Sequence, residues 1–264
     1  MKSVYRFLYD HAGLCRVLLF GLLFAMTVYL SSFAYMSFLS VYLIDLLIWF
    51  VVGRFIALAP AKLLEEPLRI MDRDCDPHPF LEECTRQLER SKPDSQQQLA
   101  LINRATALRM LGENQQVLQI LENLNIDRFP STTPFIKYVY YNNLADVLFE
   151  FDRDVEALIW HKKAMQIYQD LPAPQAEKFY SQSMNLTKAL VLYRQGEFED
   201  ALKIVAWMKC ETPRHLLDAA LLAAKCHIAL EEPEKAREKL QYVIDHGNKL
   251  HIVQESRDLL ENLN

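Results

Sequence analysis

Residues 14–59 form an apolar run of 46 residues interrupted only by Arg16, Asp45 and Arg54, and any fold must accommodate it. As one helix the run would be about 69 Å long, more than twice a hydrocarbon core of roughly 30 Å. Two spans of about 22 residues each use that length. The expected arrangement is therefore a transmembrane hairpin with spans over 14–35 and 38–59, turning in the least hydrophobic stretch, from Ser31 and Ser32 to Ser37. The run is too long for the apolar core of a cleaved signal peptide. Lys2, Arg6 and Arg16 lie before or inside the start of the first span, Arg54, Lys62 and Arg69 end or follow the second, and the connecting turn has no Lys or Arg. By the positive-inside rule both ends face the cytoplasm, with residues 1–13 as a short cytoplasmic tail. Asp45 is the one carboxylate in the run. At that depth an acid has a function, is held by a Tyr or Ser hydroxyl within the hairpin, or lies near enough the interface to be hydrated.

Charge is distributed unevenly. Residues 1–59 carry four basic and two acidic side chains, whereas residues 60–264 carry 25 and 32. An acidic soluble region disfavours nucleic acid as a partner. The six glycines, at 13, 21, 53, 112, 196 and 247, provide neither a P-loop, nor GxGxxG, nor GxSxG. The five cysteines, at 15, 75, 84, 210 and 226, are odd in number and include no CxxC, as in a reducing compartment. Cys75, His78 and Cys84 lack zinc-site spacing and a fourth ligand. His161 and His227 sit on apolar helical patterns and read as packing or groove residues. No nucleophile–base set or acid–base pair can be picked out, so no catalytic residue, metal or cofactor is expected and the chain reads as non-enzymatic. Asn185-Leu186-Thr187 is formally a glycosylation sequon, but it falls inside an expected helix.

After Pro60 the character changes. Glu65-Glu66-Pro67 and residues 72–79 mark a connector over 60–76. From residue 77 to 264 apolar residues recur at three- and four-residue spacing, with no alternating stretch to suggest a sheet. Breaks fall at Lys92-Pro93-Asp94-Ser95, Phe129-Pro130-Ser131, Leu171-Pro172-Ala173-Pro174, Thr212-Pro213 and Gly247-Asn248. Four helix pairs share one template: LINRATALRMLGENQQVLQIL (101–121), YNNLADVLFEFDRDVEALIWHKKAM (141–165), NLTKALVLYRQGEFEDALKIV (185–205) and ALLAAKCHIALEEPEKAREKL (220–240). Each first helix carries a small residue (Ala105, Ala145, Ala189, Ala224), and twelve residues later the second carries Val117, Ala157, Ala201 or Ala236. Small side chains there let the two helices of a hairpin pack closely. The turns lie at Gly112-Glu113, Asp152-Arg153, Gly196-Glu197 and Glu231-Glu232.

NNLA at 142–145 with EAL at 156–158 and Ala164, together with RQGEFEDAL followed by Pro213, resembles the tetratricopeptide repeat family. A degenerate fifth unit, with Leu81 in its second helix, precedes the four. The fold class expected from the resemblance is all-α: an N-terminal transmembrane helical hairpin followed by a right-handed α-solenoid of four to five helix pairs. Residues 251–264 read as the polar-faced capping helix that an open-ended solenoid requires. In this family the first helix of each pair lines a concave groove that takes a peptide. By position the resemblance points to Asn103, Thr106 and Arg109 in the first unit and Asn142, Asn143, Asp146 and Phe149 in the second. It points to Leu186, Leu190, Tyr193 and Arg194 in the third and Lys225 in the fourth. Asn side chains can bond a peptide backbone irrespective of its sequence. The function implied is a membrane-tethered adaptor binding a protein or peptide, in the style of a bacterial inner-membrane protein with its solenoid in the cytoplasm. Two rivals stand beside it: a regulatory subunit of a membrane complex in which Asp45 is functional, and an envelope or secretory assembly factor with the solenoid outside.

Overall fold

The computed structural model describes residues 2–32, 37–90, 95–128 and 133–263. The expected hairpin turn at 33–36 and the expected breaks at 92–94 and 129–131 lie outside the described residues. Among those described there are thirteen α-helices, one short 3-10 turn and no strand. The chain divides into two compact units, Met1–Glu66 and Pro67–Asn264.

In the first unit, α1 (Lys2–Asp10) and α2 (Ala12–Ser32) precede α3, which runs from Phe38 to Asp74. Two helices are long and apolar enough to cross a membrane. Their outward side chains are apolar all round: Leu18, Leu22 and Phe24 on α2 and Leu43, Leu47 and Phe50 on α3 are each more than half exposed. A soluble helix keeps such residues to one stripe. Phe20 meets Trp49 edge-on with ring centroids 6.3 Å apart, and the Thr27 hydroxyl donates to Asp45.

The expected connector over 60–76 is corrected by the structure. Pro60, Glu65-Glu66-Pro67 and the residues up to Asp74 all belong to α3. A change from apolar to charged side chains alters what surrounds a helix, not its backbone, and the Leu, Lys, Glu and Ala between the prolines are good helix formers. The break comes later, at Cys75, where φ turns positive at 54°.

The second unit is a stack of helix pairs. The end of α3 is followed by α4 (His78–Arg90), which carries Leu81. Then come α5 (Ser95–Met110) with α6 (Asn114–Glu122), and α7 (Pro134–Glu150) with α8 (Asp154–Asp170). They are followed by α9 (Ala173–Arg194) with α10 (Phe198–Trp207), α11 (Pro213–Ala229) with α12 (Pro233–His246), and α13 (Ile252–Asn262). The template positions explain the stacking. Ala105, Ala145, Ala189, Ala224, Val117, Ala157, Ala201 and Ala236 have no accessible surface at all. Around them Ile102, Leu121, Tyr138, Leu148, Ala164 and Met184 form the main core.

The four turns share one geometry. Gly112, Asp152, Gly196 and Glu231 all adopt positive φ, between 55° and 83°. The residue after each donates its N–H five positions back, as Glu113 does to Leu108 (3.0 Å), Arg153 to Leu148 (3.0 Å), Glu197 to Leu192 (2.9 Å) and Glu232 to His227 (2.9 Å). These are Schellman caps, which use the carbonyls a helix end leaves unpaired. Glycine fits the left-handed position without strain, and Asp152 and Glu231 do not. Gly112 is doubly constrained, because a Cβ there would lie 2.9 Å from the Cβ of His251.

That contact belongs to the second departure from expectation. The stack is not open-ended, because its last elements return to its first. Asn248 donates to the Asp74 carbonyl (2.8 Å) and the Lys249 N–H to that of Cys75 (3.2 Å). Lys249 Nζ pairs with Asp76 (2.7 Å), and the His251 N–H donates to the Met110 carbonyl (3.0 Å). The helix expected over 251–264 is present as α13, with Ile252, Val253 and Ser256 buried. Replacing Glu231 by Gly should remove left-handed strain and raise stability by about 0.5–1 kcal/mol, read as a higher thermal midpoint by circular dichroism.

Candidate ligand groove

Closing the stack turns its inner face into a cavity of about 430 Å³ ringed by the first helices of successive pairs. Each helix contributes residues three, four and seven apart, the spacing of one helical face. α5 supplies Leu99, Ile102, Asn103, Thr106 and Arg109, and α7 supplies Phe135, Ile136, Val139, Asn142, Asn143 and Asp146. α9 supplies Gln182, Ser183, Leu186, Thr187 and Leu190, and α11 supplies Arg214, His215 and Asp218. Leu68 and Asp72 come from α3 and Phe80 from α4.

Eight of the twelve groove residues singled out by position meet on this cavity: Asn103, Thr106, Arg109, Asn142, Asn143, Asp146, Leu186 and Leu190. Four are placed elsewhere. Phe149 is 3% exposed inside the main core. Tyr193 packs on Phe198 at 5.7 Å, over Ala189 and Ala201. Arg194 reaches back to Asp154 (2.7 Å) and Asp152 (2.6 Å) of the preceding turn. Lys225 pairs with Glu255 of α13 at 2.5 Å.

Most of the polar lining is already engaged. The Asn142 amide donates to Asp146 (3.2 Å) and Ser183 (3.3 Å), and its carbonyl accepts from the Thr187 hydroxyl (3.1 Å), tying α7 to α9. Asn143 donates to Thr106 (2.8 Å), tying α7 to α5. Burial pushes the Asp146 carboxyl up, opposed by Arg109, which lies 3.5 Å away, and by the Thr187 hydroxyl. Asn103 faces the cavity with an amide outside that network, and Phe135, 44% exposed, adds an aromatic ring to the lining.

At the closing end, Arg214 is clasped between two acids. Its Nε donates to Asp72 (2.7 Å), its Nη1 to Asp218 (3.3 Å) and its Nη2 to His215 Nε2 (3.0 Å). His215 is thereby neutral, with Nδ1 against the Thr212 hydroxyl (2.8 Å). Burial first, then Arg214 and Arg109, push its pKa down to about 3. Sequence reasoning missed Asp72, Phe135, Thr187, Arg214 and His215. Thr187 was visible only as part of a sequon, and Pro213 as a closing proline. In fact Pro213 opens α11 behind the Thr212 cap, so the groove face of the fourth pair begins there and not at Lys225.

Three of the cysteines are buried. Burial pushes the thiols of Cys75 and Cys226 up to about 11 and that of Cys84 up to about 12. His78 is held by Asp76 (2.9 Å) and His227 by Glu232 (2.7 Å). Among the described residues no group of three or more His, Cys, Asp or Glu is placed to hold a metal ion.

Helices α7 and α8, with Asn142, Asn143 and Asp146 on one and Ala157 and Ala164 on the other, coincide with the model of the tetratricopeptide repeat family, which matches residues 139–171. The chain carries a tetratricopeptide repeat. No curated protein and no solved structure matches it. The pairs α5–α6, α9–α10 and α11–α12 repeat the α7–α8 geometry at their buried template residues and their turns, and the matched repeat suggests a role in protein–protein interaction.

Replacing Arg214 by Met would leave Asp72 and Asp218 facing each other unpaired and should cost about 3 kcal/mol, measured by urea unfolding. Acid should also weaken the fold through His215. The unfolded chain protonates this side chain near pH 6.5 and the folded chain only near 3, so the unfolded state holds more protons in between. Stability is then lost as pH falls through that window, by up to about 1.4 kcal/mol per unit. Asp146 carries the opposite sign, so the His215→Gln variant isolates the histidine contribution: its stability should fall less steeply between pH 6.5 and 4.

Proposed function

We propose that the protein is a membrane-tethered adaptor whose solenoid, on the cytoplasmic side of a bacterial plasma membrane, holds an extended segment of a protein partner in the repeat groove. The observation that carries this reading is the ringed cavity, with an apolar wall at Phe80, Phe135 and Leu186 and an unengaged amide at Asn103. Its volume of about 430 Å³ lies in the lower part of the range for ligand pockets, roughly 300–1,000 Å³. Two turns of a helix about 10 Å wide would need more room than that. An extended segment of a few residues fits, its apolar side chain on Phe135 and its backbone within reach of Asn103.

The outward apolar faces of α2 and α3 support the tether. Tethering would confine the solenoid to the bilayer plane and raise the effective concentration of whatever it holds. Asn142, Asn143, Thr106 and Asp146 then act by holding the groove open in one shape, and Arg109 and Leu190 line its rim.

A photo-crosslinking residue placed at position 103 should trap discrete protein adducts in cells, and one placed at the outward-facing Lys162 should not. Replacing Phe135 by Ala should reduce the adducts about tenfold, as expected of a central aromatic anchor. Equal trapping at both positions would sink the groove reading. A one-sided reporter fused after Asn264 should be active in the cytoplasm, and activity on the other side would favour the envelope assembly reading.

A further inference from the structure

The intramembrane acid is not used by the groove, and its surroundings are specific. Asp45 is 91% buried on α3, turned toward α2. Its Oδ2 accepts from the Thr27 hydroxyl, which also lies 3.1 Å from the Leu23 carbonyl. Its Oδ1 is buried with no hydrogen-bond partner, and so is the Ser31 hydroxyl one turn beyond Thr27 on the same face of α2. These groups sit in a crevice of about 710 Å³ between the two helices, walled by Phe24, Val28, Tyr42 and Trp49. Either protonation state leaves the carboxyl short of one bond. Ionised, Oδ1 lacks a donor, and protonated there it lacks an acceptor. In hydrocarbon each deficit costs several kcal/mol.

We propose that this crevice is the docking site for a transmembrane helix of another protein that carries a Lys or Arg side chain at the depth of Asp45. The inference rests on the reading of α2 and the first part of α3 as membrane spans. Charge complementarity selects the occupant, because a cation neutralises the carboxylate and donates to Oδ1 in one contact. A second copy of this chain cannot supply it. Arg16 lies eleven residues from Thr27 and Arg54 nine from Asp45, about 16 Å and 13 Å along a helix axis. A copy inserted with the same orientation therefore brings no basic side chain to the required level. The crevice is large enough for one side-chain face of a helix, and its aromatic walls suit the apolar residues that would flank the cation.

The test uses the full chain, donor-labelled and reconstituted into phosphatidylcholine–phosphatidylglycerol vesicles, with acceptor-labelled synthetic transmembrane peptides of leucine and alanine. One peptide carries Lys at its centre, a second carries Lys two turns away, and a third carries none. The central-Lys peptide should associate at least tenfold more tightly than the other two. Asp45→Asn should abolish that preference, and Asp45→Glu should retain much of it. Equal association of all three peptides, or a preference indifferent to Asp45→Asn, overturns the proposal. Association between copies that depends on Asp45 also overturns it, in favour of a second copy as occupant. Extraction of the protein from the vesicles by alkaline carbonate would remove the membrane reading itself. Stable insertion without a lysine preference removes only the docking site.

Discussion

Eight side chains with no accessible surface, seven of them alanine, set the distance between the helices of each pair, and the rest of the solenoid depends on that distance. A larger side chain at Ala145 or Ala189 would have to be accommodated by separating helices whose neighbours are already packed to core density. Each pair then turns through the same left-handed residue and the same five-residue backbone bond. A common crossing and a common turn make successive pairs stack with one inner and one outer face. The groove is a consequence of that repetition.

Closure is what makes the groove a cavity. The end of α3 and the start of α11 are joined by Arg214, which is held by Asp72 and Asp218 and leaves His215 neutral beside it. Residues 248–251 bind the backbone of Asp74, Cys75 and Met110 and the side chain of Asp76. An array with the same helices but an open end would offer its partner a long trough. This one offers a short ringed cavity whose polar lining is largely used to fasten neighbouring helices together. That economy leaves the Asn103 amide, beside the ring of Phe135, facing the cavity.

The first unit carries two helices long and apolar enough to cross a membrane. Large apolar side chains are exposed on more than one face of each. Between them, Thr27 donates to one oxygen of Asp45. The carboxyl oxygen left over lies beside a crevice lined by Phe24, Tyr42 and Trp49.

Much of this was legible in residue order. The 46-residue apolar run, the alanines twelve residues from Val117, Ala157, Ala201 and Ala236, and the four turn positions are local patterns. Each reports the backbone state or burial of its own helix. The groove was legible only in part. Spacing along α5 and α7 identifies which residues share a face, and it correctly groups Asn103 with Arg109 and Asn142 with Asp146. It does not show that Phe149 enters the core, that Tyr193 packs on Phe198, or that Arg194 and Lys225 turn to acids of a neighbouring turn and helix. Nor does it indicate that Asp72 would meet Arg214, 142 residues later, or that Asn248 would bond the Asp74 carbonyl. Those contacts depend on the small rotation between successive pairs summed over the whole stack. The residue order determined the repeat, its crossings and its turns, because these are set within one helix pair. Only the tertiary structure decided that the stack closes and which side chains the closure leaves open, because those depend on all the pairs at once.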